Sequence, residues 1–218
     1  ERIVNVYYDT PELQLYAIQS GVWHRKRTKI SDSGVKVEGK EKIVVKSSRL
    51  VSVVLPDGDV KFGVAYHHKL KSLEDKHPAI GLVKRPKRDK FKKILENLGV
   101  DANDLRPVLT CKQRRRRIEI AYHNSPFLSI SLDEVSSEKL WAKTNFAELV
   151  LELDETTYTG ADENTRQYMQ DLAAKISQSI REHFPALRRD LTPKYNKAFD
   201  ALAEKIPLFV FLMKHGLI

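Results

Sequence analysis

The sequence predicts an α+β protein in which an antiparallel β-barrel forms a tunnel with a charged interior and helices pack on its outside. Three observations support this fold class: several segments alternate polar and apolar residues, their polar faces are charged, and other segments carry an apolar stripe at helical spacing. At 218 residues, 41% hydrophobic and 31% charged, the chain can bury one core, so we expect residues 1–218 to form a single domain.

Two segments with acidic residues show the alternation most clearly. In 127–133 (FLSISLD) every second residue is apolar, and Asp133 belongs to the polar set. In 148–154 (ELVLELD) leucines alternate with a set that contains Glu148 and Glu152. A period of two is typical of half-buried antiparallel strands.

Three further segments place basic residues at alternating positions: GVWHRKR, KIVVK and RRRRIEI. The last could be a basic tag that binds nucleic acid, or a strand that directs alternate arginines into a site. We interpret it as a strand, because an alternating Ile-Glu-Ile follows it directly and continues its period. Arg114 and Arg116 would then face outward. The basic residues expected to face inward are Arg25, Arg27, Lys46, Arg115 and Arg117.

A charged interior favours a particular kind of ligand. Burying so many charges costs several kcal/mol per ion, unless they are paired or bound by a ligand. The planar guanidinium of arginine matches phosphate oxygens, and lysine adds a compact charge. Carboxylates are ligands for Mg²⁺ or Mn²⁺, which also bridge to phosphate. The interior therefore predicts a polyanion bound together with a divalent cation.

The helices are predicted from caps and apolar stripes. The first begins with Thr10 as N-cap and Pro11 as its first residue, and Gly21 ends it. The apolar run 206–213 (IPLFVFLM) is expected to be a last helix packed on the body of the protein. The other predicted stripes are Phe91, Ile94, Leu95 and Leu98 before Gly99; Tyr168, Leu172, Ile176 and Ile180; and Tyr195, Ala198, Phe199 and Leu202 after a Thr192–Pro193 start.

Composition limits the partners and the compartment. The chain has 38 lysines and arginines against 29 acidic residues, a formal charge of +9, which favours an anionic partner. Its single cysteine, Cys111, excludes an internal disulfide and fits a reducing compartment, so a cytoplasmic location is expected. No apolar run approaches the roughly 20 residues of a membrane span, so no membrane partner is expected.

The order of these segments resembles the CYTH domain, the family of triphosphate tunnel metalloenzymes. Residues 7–27 (YYDTPELQLYAIQSGVWHRKR) resemble its Tyr-Asp-Thr-Pro turn, short helix, glycine and Arg-x-Arg strand. KIVVK resembles the next strand, which ends in a tunnel lysine. FLSISLDEV resembles the strand with a tunnel aspartate, and AELVLELD resembles the strand of alternating glutamates. LTPKYNKAFDAL resembles a late segment whose lysine reaches the tunnel.

This resemblance implies an eight-stranded tunnel that binds a triphosphate with one or two divalent metals. Known members hydrolyse inorganic triphosphate or thiamine triphosphate, and some are adenylate cyclases. A metal-activated water would attack the terminal phosphorus. The residues implied are Arg25, Arg27, Lys46, Arg115, Arg117 and Lys194 for substrate binding, Glu148, Glu152 and Lys194 for catalysis, and Asp133, Glu148 and Glu152 for Mg²⁺ or Mn²⁺.

Three departures from the family pattern keep other functions open, and one is that residues 60–68 (VKFGVAYHH) lack the glutamate often seen on the corresponding family strand. The Glu-x-Glu-x-Lys signature of the first family strand is absent, so that strand and its helix are expected to be trimmed or lost, and Val150 replaces a middle acid. One alternative is a domain that binds a triphosphate or polyphosphate without cleaving it. The other is a nucleic-acid-binding module that uses Arg114–Arg117 and 84–93 (KRPKRDKFKK). It is disfavoured, because aromatic residues do not interleave with these basic stretches.

Overall fold

The computed structural model describes residues 1–30, 36–47, 53–54, 60–61, 63–70, 79–122 and 125–218. These residues form strands β1 (Arg2–Asp9), β2 (Ser20–Ile30), β3 (Lys36–Ser47), β4 (Val53–Val54), β5 (Val60–Lys61), β6 (Gly63–Leu70), β7 (Arg106–Tyr122), β8 (Ser125–Lys139) and β9 (Ala142–Leu153). The helices are α1 (Gln14–Ala17), α2 (Arg88–Glu96), α3 (Glu155–Gly160), α4 (Glu163–His183), α5 (Lys194–Ala203) and α6 (Phe209–Lys214), with 3₁₀ turns at Ala79–Leu82 and Arg85–Lys87.

Seven of the described strands form one sheet in the order β6-β3-β2-β1-β7-β8-β9, while β4 and β5 pair separately. Every neighbouring pair in the large sheet is antiparallel. The α+β class and the antiparallel pairing are therefore as the sequence predicts. The first described strand, β1, lies in the middle of the sheet, between β2 and β7.

The described strands form an open sheet instead of the predicted closed barrel. Closure requires the two edge strands to pair with a fixed stagger, and among the described residues β6 and β9 pair only with β3 and β8. Alternation predicts two chemically different faces, but it does not determine whether the two edges meet. Part of the charged face is covered by α5, which lies against β8 and β9 instead of packing outside a tunnel.

Different helices pack on the two faces of the sheet. We call the face with Asn5, Arg25 and Arg115 the site face, and the opposite one the outer face. On the outer face, α2 covers β1–β3, and α3 with α4 covers β8 and β9. On the site face, α5 and α6 pack over its apolar end, where the rings of Tyr7 and Tyr195 stack with centroids 5.2 Å apart. The apolar end thereby anchors α5 beside the charged residues.

The predicted helical stripes are largely reproduced. In α2, Phe91 and Leu95 are fully buried, and Gly99 follows with φ +76°, a left-handed conformation that glycine adopts without strain. In α4, Leu172 and Ile176 of the predicted stripe pack against the core, while Tyr168 is 47% exposed. The most deeply buried residues of this helix are Met169 and Ala173. The stripe of α5 is buried as predicted, namely Tyr195, Ala198, Phe199 and Leu202.

The first predicted helix is shorter than expected, since α1 begins at Gln14 and Gly21 already belongs to β2. The reason is the buried side chain of Asp9, which replaces Thr10 as the main capping group. Its carboxylate accepts hydrogen bonds from the backbone N–H groups of Thr10, Leu15 and Tyr16, each at 2.8 Å, and from the Tyr195 hydroxyl at 2.9 Å. The chain therefore turns around Asp9 before any regular helix can begin.

The last apolar run forms α6, and its residues Phe209 and Met213 are buried against the core beside α5. This agrees with the prediction of a terminal helix packed on the body. None of the helices in the described part of the chain is long and apolar enough to cross a membrane. That residues 1–218 form a single domain stays a prediction.

Candidate functional site

The centre of the site face is a row of three charged residues on adjacent strands. Arg115 on β7 lies opposite Asp133 on β8, which lies opposite Glu148 on β9. Arg115 donates from Nε to Asp133 Oδ1 and from Nη2 to Asp133 Oδ2, both at 2.7 Å. Asp133 is fully buried. This two-bond geometry is the strongest form of an arginine–carboxylate pair.

Helix α5 adds two lysines to this row. Lys194, its first residue, places Nζ 3.1 Å from Asp133 Oδ2 and also pairs with Glu148. Lys197, one turn later, donates to Glu148 Oε1 at 2.6 Å and pairs with Asp190 at 2.9 Å. The carboxylates of β8 and β9 are therefore held by cations from both β7 and α5.

Further along the same strands lies the pair of Arg117 and Glu152. Arg117 Nη2 is 2.9 Å from Glu152 Oε2, and its Nε donates to Ser131 Oγ at 3.0 Å. Arg114 and Arg116 are exposed on the outer face, and Arg114 forms only a loose pair, 3.8 Å from Glu134. The alternate arginines of RRRRIEI thus face opposite sides of the sheet, as their spacing predicts.

These contacts keep the central groups ionised. Burial by itself raises the pKa of Asp133, but the hydrogen bonds from Arg115 and the charge of Lys194 hold that pKa below its usual range. The pKa of Glu152 is also lowered, because Lys46, Arg115 and Arg117 outweigh the effect of burial. Asp133 in turn raises the pKa of Arg115 against the effect of burial.

On β2 and β3 the site face is mainly cationic. Arg25 lies opposite Lys42, and Arg27 lies opposite Lys40. Arg25 donates from Nε to Asn5 Oδ1 at 2.8 Å, and its guanidinium carbon lies 5.5 Å from the centre of the Trp23 ring. Arg27 pairs with Glu1. No carboxylate of the described residues lies within ion-pair distance of Arg25.

We call the charged residues that share this surface the charged cluster. Among the described residues it contains eight half-buried basic side chains and five carboxylates. Within the described part of the chain, the basic members of the cluster therefore outnumber its carboxylates. The basic members are Arg25, Arg27, Lys42, Lys46, Arg115, Arg117, Lys194 and Lys197; the acidic members are Glu1, Asp133, Glu148, Glu152 and Asp190.

The three carboxylates expected to hold Mg²⁺ or Mn²⁺ do not fit a metal ion in this arrangement. Asp133 and Glu148 are cross-strand neighbours, but Glu152 lies four residues further along β9. Each of them already binds an arginine or a lysine. Within the described ranges, no group of three His, Cys, Asp or Glu residues could hold a metal ion.

The structure brings together every substrate-binding residue that the sequence predicted, and it adds others. Lys42 could have been found from the sequence, because it alternates with Lys46 in KIVVK. Lys197 is one helical turn after Lys194, which is also visible in the sequence. Asn5 had no such signal, since its contact with Arg25 depends on the pairing of β1 with β2.

Comparisons with known proteins give little beyond this geometry. No family model and no curated protein matches the chain. Among solved structures, it is similar to one described as a "putative adenylate cyclase" from Bacillus halodurans, with 13% sequence identity and a TM-score of 0.47. The match covers 91% of this chain and 82% of that one. Similarity at this level carries no argument about function.

Proposed function

We propose that the charged cluster binds a compact polyanion of the triphosphate or polyphosphate class. The observation that supports this proposal is the excess of half-buried basic residues over carboxylates in the cluster. Positive side chains that are held close together and shielded from bulk water repel one another. A bound polyanion offsets that repulsion. The binding residues would be those predicted from the sequence: Arg25, Arg27, Lys46, Arg115, Arg117 and Lys194.

The side chains of the cluster suit the oxygens of phosphoryl groups. The fixed fork of a guanidinium binds two phosphoryl oxygens at once, and lysine contributes a mobile point charge. The arginines of the cluster come from two strands, Arg25 and Arg27 from β2, and Arg115 and Arg117 from β7. An extended chain of phosphoryl groups could contact all of them.

Hydrolysis of the bound anion, with Mg²⁺ or Mn²⁺, is the second candidate function. One observation favours it: Asp133 and Glu148 are direct cross-strand neighbours that share Lys194. An anion that took Arg115 and Lys194 would leave Asp133 without a cation and Glu148 with Lys197 alone. Two adjacent carboxylates with only one cation between them attract a divalent cation. Glu148, Glu152 and Lys194 would be the catalytic residues, as the sequence predicted.

Isothermal titration calorimetry with inorganic tripolyphosphate tests binding. We expect Arg25→Gln and Arg117→Gln each to weaken binding by about 10-fold or more, the usual loss for a charged hydrogen bond. Arg116→Gln removes the same charge from the exposed outer face and is expected to bind like the wild type. Equal losses in all three variants would show a general charge effect and contradict the proposal.

Hydrolysis is measured separately, as phosphate release from tripolyphosphate with added Mg²⁺ or Mn²⁺. Binding without release would identify a receptor, and release would identify a triphosphatase.

If DNA or RNA binds instead, and binding depends on Arg114 and Arg116, the nucleic-acid alternative replaces the proposal. We also propose a cytoplasmic location. Cell fractionation, followed by detection of the protein with an antibody, tests it.

A further inference from the structure

Three polar residues lie side by side across three strands of the site face, apart from the central row. Asn5 on β1 is opposite Arg25 on β2, and Arg25 is opposite Lys42 on β3. Arg25 and Lys42 are half-buried, and Asn5 is fully buried. A directly opposed pair of like charges destabilises an antiparallel sheet.

The amide of Asn5 supplies an independent observation. Arginine can only donate hydrogen bonds. The Asn5 atom that accepts the 2.8 Å hydrogen bond from Arg25 Nε must therefore be the carbonyl oxygen Oδ1. The amino group Nδ2 of the same side chain is buried and has no hydrogen-bond partner among the described residues. A buried donor without an acceptor is costly, and buried polar groups are normally satisfied. The missing partner must be an acceptor.

The charges beside this amide point to an anionic acceptor. Burial and the nearby charges of Arg115 and Arg27 lower the pKa of Arg25, against opposing effects of Tyr7 and Glu152. Burial and the charges of Arg25 and Arg27 lower the pKa of Lys42 to about 8, against a smaller opposing effect of Glu152. Both cations would therefore be stabilised by a negative charge placed between them.

We propose that Asn5, Arg25 and Lys42 form a subsite for one tetrahedral oxyanion, such as one phosphoryl group. The Nδ2 group of Asn5, the terminal amino groups of Arg25 and the ammonium of Lys42 donate to its oxygens. This subsite rests on the proposed function and adds to it two binding residues, Asn5 and Lys42. In the central row, Asp133 and Glu148 compete with the ligand for the cations. Among the described residues no carboxylate pairs directly with Arg25, and Glu152 acts on it only from a longer distance.

The sharpest test is Asn5→Asp, studied by calorimetry with inorganic tripolyphosphate. The new carboxylate keeps the shape of the side chain and the contact with Arg25, so folding should be retained or strengthened. It replaces the free donor with an acceptor and neutralises Arg25, so tripolyphosphate affinity should fall about 10- to 100-fold. A purely structural role for Asn5 predicts unchanged affinity, and that result would overturn the subsite.

Lys42→Gln gives a second test, with a readout that a structural role would not affect. The anion favours protonated Lys42, so wild-type affinity should fall as the pH rises from about 7 to about 9.5, by about 10-fold in total. The variant should bind about 10-fold more weakly near neutral pH and lose this part of the pH dependence. Ionisation of the ligand itself affects both proteins equally and cancels in the comparison.

Failure of this inference is distinguishable from failure of the proposed function. If the wild type binds and Arg117→Gln weakens binding, while Asn5→Asp and Lys42→Gln bind like the wild type at all pH values, the subsite is wrong and the proposed function stands. If the wild type does not bind tripolyphosphate at all, both are wrong. Arg116→Gln is again the matched control, because it removes one positive charge from the exposed outer face.

Discussion

Arg115 and Asp133 lie directly opposite each other on β7 and β8 and share two hydrogen bonds, each 2.7 Å long. Asp133 is completely buried, and its Oδ2 also faces Lys194 at 3.1 Å. One carboxylate thus links the sheet to the first residue of α5. The removal of one partner from such a pair leaves a buried charge without compensation.

Asp133→Asn is therefore expected to destabilise the protein by about 3–5 kcal/mol, the usual cost of breaking a buried ion pair. Urea unfolding followed by circular dichroism measures this loss. The control is Glu134→Gln, the next residue on β8, whose pair with Arg114 is 3.8 Å long and largely exposed. It should cost less than about 1 kcal/mol. Similar losses in the two variants would contradict a buried, tightly coupled pair.

The same contacts predict how stability depends on pH. The pKa values of Asp133 and Glu152 are lowered in the folded protein by their cationic neighbours. Their contribution to stability is fully present above the unfolded pKa of about 4 and is lost as the pH falls through the folded pKa values. Urea midpoints measured from about pH 7 down to about pH 3 should decrease, and less steeply in Asp133→Asn. Identical slopes in the two proteins would refute this explanation.

Glu148→Gln distinguishes the two candidate functions. Both oxygens of Glu148 bind lysines, Oε1 to Lys197 and Oε2 to Lys194. If the carboxylate acts as an internal counter-ion, its removal leaves Lys194 and Lys197 with one carboxylate partner each instead of two. Tripolyphosphate affinity should then rise about 3- to 10-fold, the effect of roughly 1 kcal/mol. If it acts in hydrolysis, metal-dependent phosphate release should be abolished. Calorimetry and phosphate release, measured on the same preparation, separate these outcomes, and no change in either would exclude Glu148 from the site.

Asp9 is predicted to be essential for the turn that precedes α1. Its carboxylate accepts hydrogen bonds from three backbone N–H groups and from the Tyr195 hydroxyl, and it thereby joins the turn to α5. Asp9→Asn replaces one accepting oxygen with an amino group that faces these donors, and we expect a loss of about 3 kcal/mol in unfolding free energy. Asp101→Asn, in an exposed turn, serves as the control and should change stability by less than about 0.5 kcal/mol. Equal effects would show that the Asp9 contacts contribute little.

The sequence by itself determined the features that depend on local periodicity. Alternation along β7 placed Arg115 and Arg117 on one face and Arg114 and Arg116 on the other, because successive side chains of a strand point to opposite sides. Helical spacing identified the buried residues of α2 and α5, because residues three and four positions apart lie on one face of a helix. These properties arise within a single segment of chain, so no knowledge of its neighbours was needed.

The tertiary structure alone decided which residues meet. The pairing of Asn5 with Arg25 follows from the register between β1 and β2, and a shift of one residue would separate their side chains onto opposite faces. The open sheet, the turn around Asp9 and the neutralisation of Glu148 by Lys194 and Lys197 also depend on contacts between segments far apart in sequence. Hydrogen bonds and ion pairs act over a few ångströms, and only the folded chain brings such segments that close.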